Sequence, residues 1–126
     1  MNTKEAKELI FNTLCNCEIS LYMAWYAPDK AVVPISNFCS LIKGLTKYRA
    51  RLALKELISE GLIEYTSQGC PAIVSPSTED HMEELIDEPH PPINGYALTQ
   101  RGFESDVFKR HKDDWNKSME EWAKGD

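Results

Sequence analysis

The reading of this chain turns on the stretch from Gly44 to Ile63, GLTKYRARLALKELISEGLI. Ala50, Ala53, Leu54, Leu57 and Ile58 recur at i, i+3 and i+4 spacing, so they share one face of a helix from Lys47 to Glu60. Thr46 suits its N-cap, since a hydroxyl oxygen accepts from an otherwise unpaired amide in the first turn. Gly61 suits the position just past its end, where the backbone turns left-handed. Leu62 to Thr66 then alternates and reads as a strand.

Working outward, Pro34 fits the start of a shorter helix over 35–43, with Phe38, Leu41 and Ile42 on one face. Gly44-Leu45-Thr46 joins it to the next helix, and two helices on so short a Gly-containing turn are a helix-turn-helix pattern. Residues 3–26 read as a first helix, capped by Thr3, with apolar positions at Leu9, Ile10, Leu14, Cys17, Leu21 and Trp25, closed by Pro28. Ala31-Val32-Val33 is a candidate short strand. Gln68-Gly69 suits a turn, with a second strand or an extended segment at Ala72-Ile73-Val74. Residues 75–92 are rich in Pro, Ser, Asp and Glu and read as a long loop with a helical turn at His81 to Ile86, Pro89, Pro91 and Pro92 excluding regular structure at its end. Asn94-Gly95 is a turn signal before a strand at Tyr96 to Thr99. From Phe103 to Trp122 a helical stripe returns through Val107, His111, Trp115 and Met119.

Charge is divided along the chain more sharply than its net value of −6 suggests. Lys43, Lys47, Arg49, Arg51 and Lys55 fall in a stretch without an acidic residue. Glu79, Asp80, Glu83, Glu84, Asp87 and Glu88 fall in a stretch without Lys or Arg. The basic stretch coincides with the start of the second helix of the pair, where a recognition helix meets DNA: its first residues reach base edges and its amides face phosphate. With Leu54 and Leu57 inward, Lys47, Tyr48, Arg51, Leu52 and Lys55 project outward, while Arg49 projects nearer Glu56. The Arg51 fork suits a guanine edge. Lys47 and Lys55 suit phosphates as point charges on flexible stems.

The run YRARLALKELISEGLI, Tyr48 to Ile63, resembles the recognition helix and first wing strand of winged helix-turn-helix transcription regulators. GYALTQRG, Gly95 to Gly102, is similar to the second wing strand and following helix start of the MarR and PadR groups, where Y-x-L-T-x-x-G recurs. The resemblance implies a mainly α fold with a small antiparallel β-wing and a long C-terminal helix. A winged domain over 1–102 would be followed by a helix over 103–126. The implied function is sequence-specific duplex DNA binding as a transcription regulator, with Lys43, Thr46, Lys47, Tyr48, Arg49, Arg51 and Lys55 at the DNA. A final helix of ~20 residues runs ~30 Å, longer than a small winged domain covers. A homodimer is therefore expected, with Trp25, Phe103, Val107, Trp115 and Trp122 at its interface and room for a small-molecule effector near Trp25 and Trp115. The stretch from about Ser67 to Ile93 is long and acidic where a DNA-contacting wing is basic; phosphates repel it. It points away from DNA, binds a protein partner or mimics DNA. The alternative function is accordingly a winged-helix protein-interaction module, a phage or plasmid accessory factor or antirepressor, acting through residues 79–88.

Other chemistries find no pattern. There is no Gly-rich phosphate loop, no nucleophile elbow and no helical metal-ligand pair, so no enzyme and no cofactor are expected. Cys15 and Cys17, two apart on a helix, diverge. Cys70, His81 and His90 match no zinc spacing, so no metal is expected. No apolar run approaches the ~20 residues of a membrane span. The polar start at Met1 to Glu5 reads as no secretory signal, and the four cysteines as reduced thiols, so the expected location is cytoplasmic.

Overall fold

Helix α1 (Thr3–Leu21) starts at a side-chain cap: Asn2 Oδ1 accepts from the Glu5 amide at 2.8 Å, and Asn2 Nδ2 donates to Glu5 Oε1 at 3.0 Å. The cap is Asn2, one residue ahead of the expected Thr3. The structure, a computed structural model, describes residues 1–21, 30–75, 77–80 and 82–124. The expected helix end at Tyr22 to Pro28, including Trp25, lies outside the described residues, as does His81. The buried stripe of α1 is Ala6, Ile10, Phe11, Leu14, Cys15 and Ile19. Leu9, expected inward, is exposed: the stripe is centred on Ile10 and Leu14 and leaves position 9 at its rim.

Helix α3 (Lys47–Ser59) packs on α1 and helix α2 (Ile35–Leu41) packs on α3, with Phe38, Ala50, Ala53, Leu54 and Leu57 in the shared core. Phe38, Ile10, Leu14 and Leu54 are almost fully buried, each contributing about 1.5–3 kcal/mol over an exposed position. Leu41 and Ile58, both expected inward, are exposed, being flank residues of their helices. Gly44 and Gly61 take positive φ, 85° and 77°. Past α3 the Gly61 amide donates to Ile58 O and the Leu62 amide to Leu57 O, the paired bonds that close a helix on a left-handed glycine.

Strands β1 (Ile63–Cys70), β2 (Ile73–Val74), β3 (Leu85–Asp87) and β4 (His90–Leu98) make one long hairpin carrying a smaller one. β1 and β4 pair antiparallel from Ile63↔Leu98 to Cys70↔His90, and β2 pairs with β3 beyond them. Val33 bridges to Tyr96 on the other side of β4, with both amide bonds at 2.9 Å. Part of the expected loop, Leu85–Asp87 and the start of β4 at His90, is therefore strand, and Met82 to Glu84 form no helical turn. Pro91 and Pro92 sit inside β4 because the ladder slips there: the two of them oppose Gly69 alone, and a bulge tolerates their missing amides. Asn94-Gly95 is likewise mid-strand, opposite Ser67 and Thr66. Gly95 is there because a Cβ would lie 2.5 Å from the Val33 carbonyl carbon.

The expected final helix begins three residues later than Phe103, and a short helix precedes it. Thr99 caps α4 (Gln100–Phe103), accepting from the Gly102 amide at 3.2 Å. Ser105 Oγ accepts from Phe108 N at the start of α5 (Asp106–Lys124). Phe108, missed by the stripe drawn from Phe103, anchors α5 in the core with its ring edge-on to Phe103 at 5.1 Å. The whole is a mixed α/β domain, rich in helix, with a β-hairpin. Among the described residues no helix is long and apolar enough to cross a membrane.

Candidate nucleic-acid interface

The α2–α3 pair is held by short-range bonds that leave its outer face free. Leu45 N reaches Ile42 O at 3.2 Å across the Gly44 turn. Thr46 Oγ1 accepts from Arg49 N at 3.1 Å, so this residue, expected at the DNA, is occupied as the N-cap of α3. Lys43, Lys47, Tyr48, Arg51 and Lys55 are exposed, Tyr48 to 68 %. Among the described residues no ion pair reaches any of the four cations. Like charges held side by side without a counter-charge favour an anionic partner.

Arg49 departs from the expected arrangement. Its Nη1 donates to Thr3 Oγ1 of α1 at 2.8 Å, half-buried, rather than turning toward Glu56. Lys7 takes Glu56 at 3.4 Å and also bonds Glu60, and the Glu60 hydrogen bond holds its ammonium above the ordinary lysine range. These bonds tie α1 to both ends of α3. They consume the acidic residues of the helix at its back and leave its front purely basic.

The hairpin supplies a side wall that the sequence did not reveal. Tyr65 and Tyr96 are cross-strand partners on the same strand face as the core residues Ile63 and Leu98. Their rings meet edge-on at 5.1 Å, and Tyr96 also leans on Phe38 at 6.5 Å. Burial and Tyr65 push the Tyr96 hydroxyl above its ordinary value, while nearby Arg51 pulls it down. Arg51 thus stands beside an aromatic step, with Tyr65 still 61 % exposed. The signal was present in the alternation of β1 and β4, but it required knowing their register.

The two quoted sequence motifs meet in space. Thr99 N donates to Leu62 O at 3.2 Å, and Thr99 Oγ1 to Gly61 O at 2.5 Å. A Cβ on Gly102 would overlap Leu62 O, so only glycine lets α4 approach this turn. The exit of α3 and the end of β4 are therefore locked together, which fixes the angle between α3 and the hairpin.

Of the residues expected at a subunit interface, Phe103, Val107 and Trp115 pack half-buried against this chain's own core. Trp122, near the end of α5, is 78 % exposed. Trp25 lies outside the described residues, so the effector crevice expected beside it is not framed. An open groove of about 420 Å³ does run between α1 and α5, walled by Lys7, Phe11, Leu57, Val107 and Arg110.

The remaining reactive groups are quiet ones. Burial and neighbouring Glu18 push the Cys15 thiol up to about 12 and raise Cys17 as well, which makes both poor nucleophiles. Glu18 is itself buried, with both carboxylate oxygens accepting from Ala31 N at 3.2 and 3.3 Å. Burial raises its carboxyl, against the pull of that amide and of Lys30. Among the described residues no cluster of His, Cys, Asp and Glu is arranged to hold a metal ion. No family model, curated protein or solved structure matches the chain.

Proposed function

We propose that this protein is a winged helix-turn-helix domain that binds duplex DNA and acts as a transcription regulator without enzymatic activity. The observation that carries the reading is the outer face of α3, where Lys47, Tyr48, Arg51 and Lys55 form an exposed strip free of acidic residues and, among the described residues, of ion pairs. The order helix, Val33 bridge, helix, helix, hairpin supports this reading, in which the hairpin serves as the wing.

In this reading α3 enters the major groove. Arg51 reads a base edge and Tyr48 packs on a methyl or a sugar, while Lys43, Lys47 and Lys55 hold phosphates. Arg49 braces α1 and Thr46 caps the helix, so both serve the interface by fixing its shape. A homodimer would form through the outer turns of α5, around Trp122. The alternative, a protein-binding module working through residues 79–88, is less well supported: among the described residues no ion pair joins those carboxylates to α3, so the basic face is not neutralised by its own arm.

The test is binding of a labelled mixed-sequence duplex across a salt series. The wild type should lose affinity steeply as salt rises. The Lys47→Ala, Arg51→Ala variant should bind more weakly, with its log–log slope shallower by about 0.9 for each phosphate it no longer neutralises. No binding at low salt, or a variant equal to the wild type, would overturn the proposal.

A further inference from the structure

The described residues in the outer part of the hairpin, between Pro71 and Pro89, are almost all exposed. Val74 and Leu85 face each other across the β2–β3 ladder, 43 % and 59 % exposed, with Ile86 at 50 % and Met82 at 85 %. A two-stranded arm that leaves its apolar residues in water has open edges and an unburied face, which soluble proteins normally cover. Glu79, Asp80, Glu83, Glu84, Asp87 and Glu88 lie in the same stretch of chain and are exposed. The α2–α3 face is the complement in both respects: it is basic, and it exposes Tyr48 at 68 % and Leu41 at 64 %. Among the described residues no ion pair joins the arm carboxylates to their own copy of that face. The β1–β4 ladder runs about 23 Å, as long as α3 at about 20 Å, and every one of these carboxylates lies beyond its far end.

We infer that the arm docks on the α2–α3 face of a second copy of this chain. Val74, Met82 and Leu85 lie against Tyr48 and Leu41, and the arm carboxylates face Lys47, Arg51 and Lys55. Exchanged reciprocally, this docking closes a pair rather than an open chain. Its regulatory consequence rests on the DNA reading: a docked arm covers the residues assigned to DNA, so association through the arm, unlike that through α5, competes with duplex binding.

The test uses the full chain, mixed from nitrogen-14 and nitrogen-15 preparations and treated with a zero-length carboxyl–amine cross-linker. Cross-links between residues 79–88 and Lys47 or Lys55 should carry mixed labels and disappear at high salt. Two variants sharpen the test: Glu83→Lys, Glu84→Lys, Asp87→Lys in the arm, and Lys47→Glu, Arg51→Glu, Lys55→Glu in the helix. Association through the arm, followed by light scattering, should fall about tenfold or more in each variant alone, because like charges then face one another. It should return when the two variants are mixed. Cross-links within one label only, no cross-links in the wild type, or association unchanged in both variants would each overturn the inference. Duplex binding of the wild type is measured separately, so failure of the DNA reading leaves the association result standing.

Discussion

The body of this domain and its arm are built from the same chain by opposite rules. In the body, Phe38, Ile10, Leu14 and Leu54 are sealed between three helices, and many polar bonds tie one element to another: Arg49 to Thr3, Lys7 to Glu56, Thr99 to Gly61. In the arm, Val74, Met82, Leu85 and Ile86 stand in solvent, and Ser75 Oγ with Glu84 N and His90 with Asp87 are bonds within the hairpin itself. The outer face of α3 carries unpaired cations, whereas the arm carries six carboxylates and neither Lys nor Arg. Stability therefore resides in one region, and the other is free to be shaped by what it touches.

The largest effect should come from the deepest residue. Phe38→Ala is expected to destabilise the fold by about 3–5 kcal/mol, whereas Leu85→Ala in the arm should change it by less than about 0.5 kcal/mol. Denaturant unfolding of the two variants measures this contrast, and equal losses would erase the division. Gly95 tests the root where the two regions join. Gly95→Ala drives a methyl into the Val33 backbone and should cost on the order of 1–3 kcal/mol, with early hydrogen exchange at Val33 and Tyr96.

Glu18 probes the body by pH. Its folded carboxyl titrates above the unfolded value of about 4.3, so its contribution is most favourable below that pH and is lost as pH rises through the raised folded value. Glu18→Gln does not titrate and keeps an acceptor for Ala31 N. Its stability relative to wild type should improve from about pH 4 to pH 7; a difference flat with pH would show that the carboxyl is not perturbed. The smallest effect is expected for replacing residues 71–89 with an Asn-Gly turn between Cys70 and His90, which should leave the midpoint of thermal unfolding within a few degrees.

What was legible in the sequence was mostly local. Thr46, the Lys47 start and the Gly61 stop of α3 are set by neighbours within four residues, and all three stand as read. GYALTQRG was legible as a strand followed by a helix start, but its docking on the exit of α3, which requires Gly102 for close approach, was not. What failed was non-local. Asn94-Gly95 has the chemistry of a turn, but Val33, more than sixty positions away, requires the glycine. Pro91 and Pro92 forbid a regular ladder, and only a bulge opposite Gly69 makes room for them. Arg49 was placed by helical angle alone, which says nothing of Thr3 on another helix. Tyr65 went unread as a site residue because its partner Tyr96 is fixed by register.

The most direct test of the division is equilibrium binding of one mixed-sequence duplex at low salt to three proteins: the wild type, Lys47→Ala with Arg51→Ala, and the chain with residues 71–89 replaced by the short turn. The account predicts that only the α3 variant loses affinity, and that the shortened chain binds as tightly as the wild type or more tightly. Loss of binding in the shortened chain, with the α3 variant unaffected, would contradict it.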